Sequence, residues 1–317
     1  MNGGNQTLIT EFILIGLSQN QVTKNLLFAL FFFIYIVTIC GNVILISTVI
    51  SSPHLHTPMY YFLCHLSFID LFYSTCIAPK MLQDLIRPGK GKISYVICVL
   101  QMNISLLLGD TEYILLAVMA YDRYVAICFP LRYMVIMSWR RCKNITIIVW
   151  FGCFLCFVLP TISNQRPICK GNVINHFVCE IIAMVKLVCG DTSYEEAKIT
   201  FASLFTLLVP FSFIVATYVC IIRSVLKIQT EDGRTKAFST CASHLTVVIM
   251  SYGTCMTFIY LGQAKHLPNK HKVFTVFYVV VTPMLNPLIY SLRNNEVKGA
   301  FLKLICANKK ITALPAR

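Results

Sequence analysis

Charge is what this chain has least of. Only 13% of its 317 residues are Asp, Glu, Lys or Arg, about half of the ~25% usual in a soluble domain. Acidic residues are the scarcest, 13 against 27 Lys and Arg. No glycine-rich nucleotide loop, no H-E-x-x-H and no G-x-S-x-G occurs. Nothing groups the serines and histidines into a nucleophile, so no enzyme is expected. No cleavable leader is expected either. Residues 1–23 have no basic n-region and only a short apolar patch, Phe12 to Leu17. The first long apolar segment must itself start insertion.

What is there is hydrophobic surface. Apolar residues make up 57% of the chain, and the mean hydropathy is +0.71. That composition belongs to an integral membrane protein. The net charge of +14 sits in short segments between apolar runs, a distribution that suits loops facing lipid head groups and not nucleic acid. Seven runs of about 20 residues or more can each cross a hydrocarbon core of about 30 Å. They lie at 26–50, 58–80, 95–127, 143–162, 199–224, 237–261 and 272–292. Backbone groups cannot stay unpaired in lipid, and the alternation of a membrane barrel is absent, so these are helices. The expected fold is an all-α seven-transmembrane bundle (26–292), preceded by an extracellular tail (1–25). A cytoplasmic amphipathic helix and tail (293–317) follow it.

Orientation rests on weak signals that agree. Asn5-Gln6-Thr7 is a glycosylation sequon in a tail that reads as exposed. The sequons at Asn103 and Asn144 are discounted, one inside an apolar run and one beside Arg140, Arg141 and Lys143. Lys and Arg are slightly in excess on the side this places inside. Cys169, Cys179 and Cys189 fall in the longest outer segment, and Cys98 at the outer start of the third span. Four cysteines on an oxidising face suggest two bridges; spacing leaves all three pairings open. Cys153 and Cys156 form a C-x-x-C inside an apolar run and read as packing residues. After the seventh span, Val297, Phe301, Leu304 and Ile305 recur at helical spacing with Lys298 and Lys303 between them. This is the pattern of a short helix on the inner membrane surface. Cys306 is a lipidation candidate by position alone.

Polar residues inside the runs are the candidates for function. Met119–Cys128 ends the third run and sets Asp122 and Arg123 where hydrocarbon meets water. Snorkelling is the plain explanation for an arginine there. Asp70 and Glu112 are mid-span, and buried carboxylates need partners. They could share a proton, bind a cation, or bond to Asn42 and Asn286, which are also mid-span. Pro210 and Pro287 each remove a helix hydrogen bond and favour a kink.

Five motifs in order resemble the olfactory receptors, a branch of the rhodopsin-like G-protein-coupled receptors, of the larger tetrapod-type class. They are Gly41-Asn42, Leu55-His56-Thr57-Pro58-Met59-Tyr60, Met119–Cys128, Lys236–His244, and Pro283–Tyr290 with Ser291–Asn294. Departures are mild: Thr217-Tyr218 where Ser-Tyr is usual, His65 for Asn, Tyr61 for Phe, and an unusual Asp110. The resemblance implies an odorant receptor in the plasma membrane, N-terminus outside, whose partners are a small volatile odorant, a heterotrimeric stimulatory G protein and membrane lipids. It implies the pairings Cys98–Cys179 and Cys169–Cys189. Arg123 is expected to be the latch, paired at rest with Asp122 and turning toward Tyr218 on activation. Tyr124, His244, Asn286, Pro287 and Tyr290 belong to the same switch. No cofactor is expected beyond a sodium ion held by Asp70 and Glu112 between the second and third spans.

The ligand site is expected in the outer half of the bundle. Ser105, Leu106, Gly109 and Asp110 share one face of the third span, and Tyr252, Cys255, Met256 and Ile259 repeat likewise on the sixth. Ala202, Ser203 and Thr206 line the fifth, Val276 and Val279 the seventh, and the family places its odorant contacts on these faces. Asp110 lies about 200° around the helix from Glu112, so the pocket is the place left for it. There it would either donate to an oxygenated odorant when protonated or pair with an amine when ionised. The oxygenated, neutral ligand is preferred. The plain alternative is a carboxyl satisfied by Ser203 or Thr206. Two rival functions stay open: a same-superfamily receptor for a non-odorant ligand outside the nose, and an ion-coupled transporter using Asp70 and Glu112.

Overall fold

The computed structural model describes residues 9–164, 166–263, 268–293 and 296–303. Seven long helices dominate it: α1 (Gln21–Ser51), α2 (Pro58–Ile86), α3 (Tyr95–Cys128), α4 (Trp139–Ser163), α5 (Ser193–Val225) and α6 (Glu231–Gln263). The seventh, α7, runs as Pro268–Val276, a π-helical turn Phe277–Val281, and Thr282–Arg293. Six of them, all but α6, are long and apolar enough to span a membrane over their described residues. α6 opens on polar residues, Glu231 and Asp232 in its first turn. Large apolar side chains such as Phe33, Phe201, Phe205 and Ile249 stand outward on the bundle surface. An apolar outer face of that extent belongs against lipid. α3 is the central helix and packs on α2, α4, α5 and α6.

Helix ends follow local chemistry. Asn20 caps α1, its side chain accepting from the Val22 and Thr23 N–H groups. α1 therefore starts five residues before the apolar run does. Lys24, inside its first turns, is buried, and its ammonium donates to the Gly89 carbonyl at 3.0 Å. Both π turns lie where a proline four residues on cannot donate: Pro160 follows Cys156 in the turn Phe154–Val158, and Pro283 follows Val279 in Phe277–Val281. Pro210 and Pro287, expected to mark kinks, sit within unbroken stretches of α-helix.

A small sheet corrects the reading of residues 9–20 as open tail. β1 (Glu11–Leu14) pairs antiparallel with β2 (Gly91–Ser94) and parallel with β3 (Val173–Ile174), in the order β2-β1-β3. Its alternate residues Phe12 and Leu14 are fully buried. They form a satellite core with Ile93, Met102, Ile174 and the Cys98–Cys179 bridge. This end of the bundle also holds the Cys169–Cys189 bridge. Asn5 and the stretch from Leu304 to Cys306 lie outside the described residues. Residues 296–303 are helical, with Val297 and Ala300 buried against the bundle and Leu302 exposed.

Candidate functional site

Two cavities open between the helices near the sheet end. The first, about 210 Å³, lies between α3, α4, α5 and the 166–188 loop; the second, about 170 Å³, between α2, α3, α6, α7 and the same loop. Met102, Leu106, Asp110, Ile181, Ile199 and Ser203 line both, so Asp110 sits on the shared wall. The residues named from helix spacing divide between them. Ala202 and Thr206 line the first; Ser105, Gly109, Cys255 and Val279 line the second. Thr206 lies beside the Asp110 carboxyl, while its hydroxyl donates to the Ala202 carbonyl at 2.9 Å.

Three named residues fall elsewhere. Tyr252 is buried beneath the second cavity, where its hydroxyl donates to the Tyr113 carbonyl at 2.9 Å and its ring packs on Tyr113 and Phe211. It supports the floor and does not line the cavity. Met256 and Val276 pack against the hydrophobic core and line neither cavity. The side chain of Ile259 lies outside the described ones. Gly109 has a local reason: a Cβ there would stand 2.6 Å from the Tyr278 hydroxyl. The π turn of α7 brings Tyr278 and Val279 together onto the cavity wall.

Spacing on the helices missed the roof. Val178, Glu180 and Ile182 reach the second cavity from the loop that the Cys98–Cys179 bridge holds down. Glu180 accepts from the Thr275 hydroxyl of α7 at 3.1 Å. Burial pushes its carboxyl up to about 7, against the opposing Thr275 bond. In the same loop, Ser193 hydrogen bonds hold the exposed Asp191 below the usual carboxylate range. The available signal for Glu180 was its place directly after a cysteine that the resemblance pinned over the bundle mouth.

A polar layer crosses the middle of the bundle. Asn286 donates to both Asp70 oxygens, each at 3.1 Å. Glu112 accepts from the Ser251 hydroxyl at 3.4 Å. The two carboxylates repel one another electrostatically, but their protein partners are on α7 and α6. Asn42 bonds neither and donates to the Pro283 carbonyl at 3.1 Å. Among the described residues no three His, Cys, Asp or Glu side chains converge as metal ligands.

The far end of α3 holds the ion pair. Arg123 Nη2 meets Asp122 Oδ2 at 2.6 Å, and the other Asp122 oxygen accepts from Tyr133 at 2.8 Å. Asp122 is fully buried. Nearby, His244 Nε2 stands 3.0 Å from the Leu116 carbonyl, which can only accept, so that nitrogen carries a proton. Nδ1 is then the acceptor for the Tyr218 hydroxyl at 2.8 Å. Tyr124 packs edge-on against Phe129, and the Tyr290 hydroxyl is buried with no hydrogen-bond partner among the described residues.

Known proteins resemble this chain over nearly its whole length. The olfactory receptor family model matches residues 31–308. An olfactory receptor-like protein of Canis lupus familiaris, OLF3, is 47% identical over 308 residues, covering 96% of each chain. Olfactory receptor 2F1 of Homo sapiens is 46% identical with the same coverage. Olfactory receptor 2B6 of Mus musculus is 46% identical over 306 residues, covering 96% of this chain and 97% of its own. With the motif order, the bundle and these matches in hand, the chain belongs to the olfactory receptor family and is a multi-pass membrane protein.

Proposed function

We propose that this receptor binds small volatile odorants in the paired cavities and answers through a stimulatory G protein, raising cyclic AMP. The carrying observation is the placement of Asp110 on the wall shared by two mostly apolar cavities. Small-molecule sites combine an apolar lining with a few polar anchors in this way. Asp110 anchors an oxygenated, neutral ligand. The sheet end faces outward from the plasma membrane, and the Arg123 end meets the G protein.

The mechanism is a population shift. A ligand moves the equilibrium only by its preference for the active packing. At rest, Arg123 is held by Asp122, and Tyr218 by His244. On activation Arg123 leaves Asp122 and turns toward Tyr218, opening the inner ends of α5 and α6. Arg234 borders the docking surface; the side chain of Lys236, expected beside it, lies outside the described ones. Asp70 and Glu112 supply hard oxygen donors suited to a sodium ion, and a bound ion relieves their mutual repulsion and favours the resting packing.

The test is an odorant screen in cells reporting cyclic AMP, run on wild type and Ser203→Trp. The indole would fill the shared wall. Agonists of the wild type should lose at least tenfold in potency on the variant, with surface expression retained. Unchanged potency would move the site elsewhere.

A further inference from the structure

Glu180 takes no part in the switch, and its surroundings are closely defined. Oε1 accepts from Thr275 at 3.1 Å and lies 3.5 Å from His176 Nε2. His176 Nδ1 accepts the Val178 N–H at 3.3 Å, so the ring proton is on Nε2 and points toward Oε1. Oε2 has no protein partner among the described residues, and the residue lines the second cavity. The backbone here is anchored: Cys179 is bridged to Cys98, and its N–H donates to Gln101 Oε1 at 3.0 Å. On the opposite wall, the Ser105 hydroxyl is buried with no hydrogen-bond partner among the described residues. The rest of the lining combines apolar side chains, Ile77, Val178 and Val279, with Asp110 and the Tyr73 and Tyr278 rings.

We propose that Glu180 is a ligand-anchoring residue whose Oε2 accepts the hydroxyl hydrogen of a small alcohol seated in the second cavity. This rests on reading the cavities as the odorant site. The chemistry selects the class. Ethers, ketones and aldehydes bring only lone pairs against a lone pair, and carboxylic acids bring like charge. An ammonium carries three donors, more than the one free oxygen of Glu180 can accept, whereas a hydroxyl has one donor for one acceptor. Oε1 is already occupied, so the free oxygen is fixed in direction before the ligand arrives, which lowers the ordering cost of binding.

The experiment uses matched sets, hexanol to decanol with their methyl ethers and the corresponding aldehydes, in a cyclic AMP assay at external pH 8. Wild type should prefer each alcohol to its ether by about tenfold or more, the size of one hydrogen bond to a charged acceptor. Glu180→Gln can still accept from Thr275 but turns a donor on the cavity, so alcohol and ether potencies should converge while both remain active. If that variant fails to reach the surface, Glu180→Asp keeps the charge one methylene further back. It should weaken alcohols and keep their preference over ethers. Equal alcohol and ether potencies in wild type, or a preference that survives Glu180→Gln, would overturn the assignment. If ethers or aldehydes activate wild type as well as alcohols and Ser203→Trp removes those responses, the cavity reading stands and the role of Glu180 falls. Silence of wild type toward all three sets would reject the alcohol class.

Discussion

Asn42 donates its side-chain amide to the carbonyl of Pro283, the carbonyl that Pro287 leaves without an intrahelical partner. The Gly41 position makes the approach feasible, since a Cβ there would stand 3.1 Å from the Pro287 ring. Two family motifs on α1 and α7 are thus halves of one contact. Asn42→Leu should lower stability by about 1–3 kcal/mol, the cost of a buried acceptor left unpaired. Pro287→Ala restores a donor to that carbonyl, so the Asn42→Leu penalty should shrink in the double variant. Thermal unfolding of the four proteins in detergent checks this; additive losses would deny the coupling.

Arg123→Ala should abolish cyclic AMP signalling with measurable surface expression. Tyr133→Phe tests the resting pair from the other side. It removes the donor to Asp122 at 2.8 Å and leaves Arg123 in place, so the restraint on Arg123 weakens. Basal signalling should rise several-fold, since about 1 kcal/mol off the resting state multiplies a minor active population by roughly five. A basal level unchanged from wild type would remove Tyr133 from the latch.

Glu112→Gln removes one charge from the mid-bundle pair while keeping an acceptor for Ser251. A sodium ion shared by Asp70 and Glu112 should then be lost. Basal and ligand-driven signalling should lose their dependence on sodium concentration, with higher basal activity at physiological sodium. The sodium proposal fails if the variant follows wild type at every concentration.

The helices were legible because lipid forces their backbone to pair internally, and their polar ends were not. Apolar counting began α1 at 26, whereas Asn20 caps it and Lys24 is buried against loop carbonyls. The sheet escaped because β1 is four residues long and pairs with β2 some eighty residues on. Only the apolar patch from Phe12 hinted at burial. Helix spacing placed Ser105, Gly109 and Asp110 on one cavity-facing side, since that needs one periodicity. Tyr252, Met256 and Val276 line neither cavity, since what they face depends on how α6 and α7 are rotated against α3. The partners of Asp70 and Glu112 were hidden for the same reason.

Glu180 should give two opposite pH slopes. Its carboxyl is pushed up from 4.5 to about 7, so the folded state binds a proton the unfolded chain has released. Stability should therefore be full below about pH 4.5, fall as pH rises to about 7, and then level off, by roughly 3 kcal/mol at most. The facing groups are the His176 ring in the loop, Thr275 of α7 and Tyr73 of α2. Alcohol potency should move the other way, improving from external pH 6 to 8 as the carboxylate appears. Glu180→Gln should remove this contribution to the stability slope and flatten the potency curve. Thermal unfolding and dose–response series across that range are the measurements; wild-type curves as flat as the variant's would contradict the shift.

Asp110 offers the sharpest test of the ligand site because it touches both cavities. In a structural role Asp110 would pack beside Thr206 without touching ligand, and either an amide or an apolar side chain would then leave agonist response alone. A ligand-contact role separates the two. Asp110→Asn keeps a hydrogen-bond donor and an acceptor at the shared wall, so an oxygenated neutral agonist should lose only a few-fold in potency. Asp110→Leu keeps the branching at Cγ and removes both, leaving the agonist oxygen facing hydrocarbon, at a cost of about 1–3 kcal/mol or roughly 5- to 150-fold. An amine-selective site would behave differently, because Asn cannot replace a counter-ion and both variants would fail alike. Dose–response curves for the best agonist of the screen, normalised to surface expression, distinguish these outcomes. Unchanged potency in both variants would return Asp110 to a structural role and require the pocket to be redrawn.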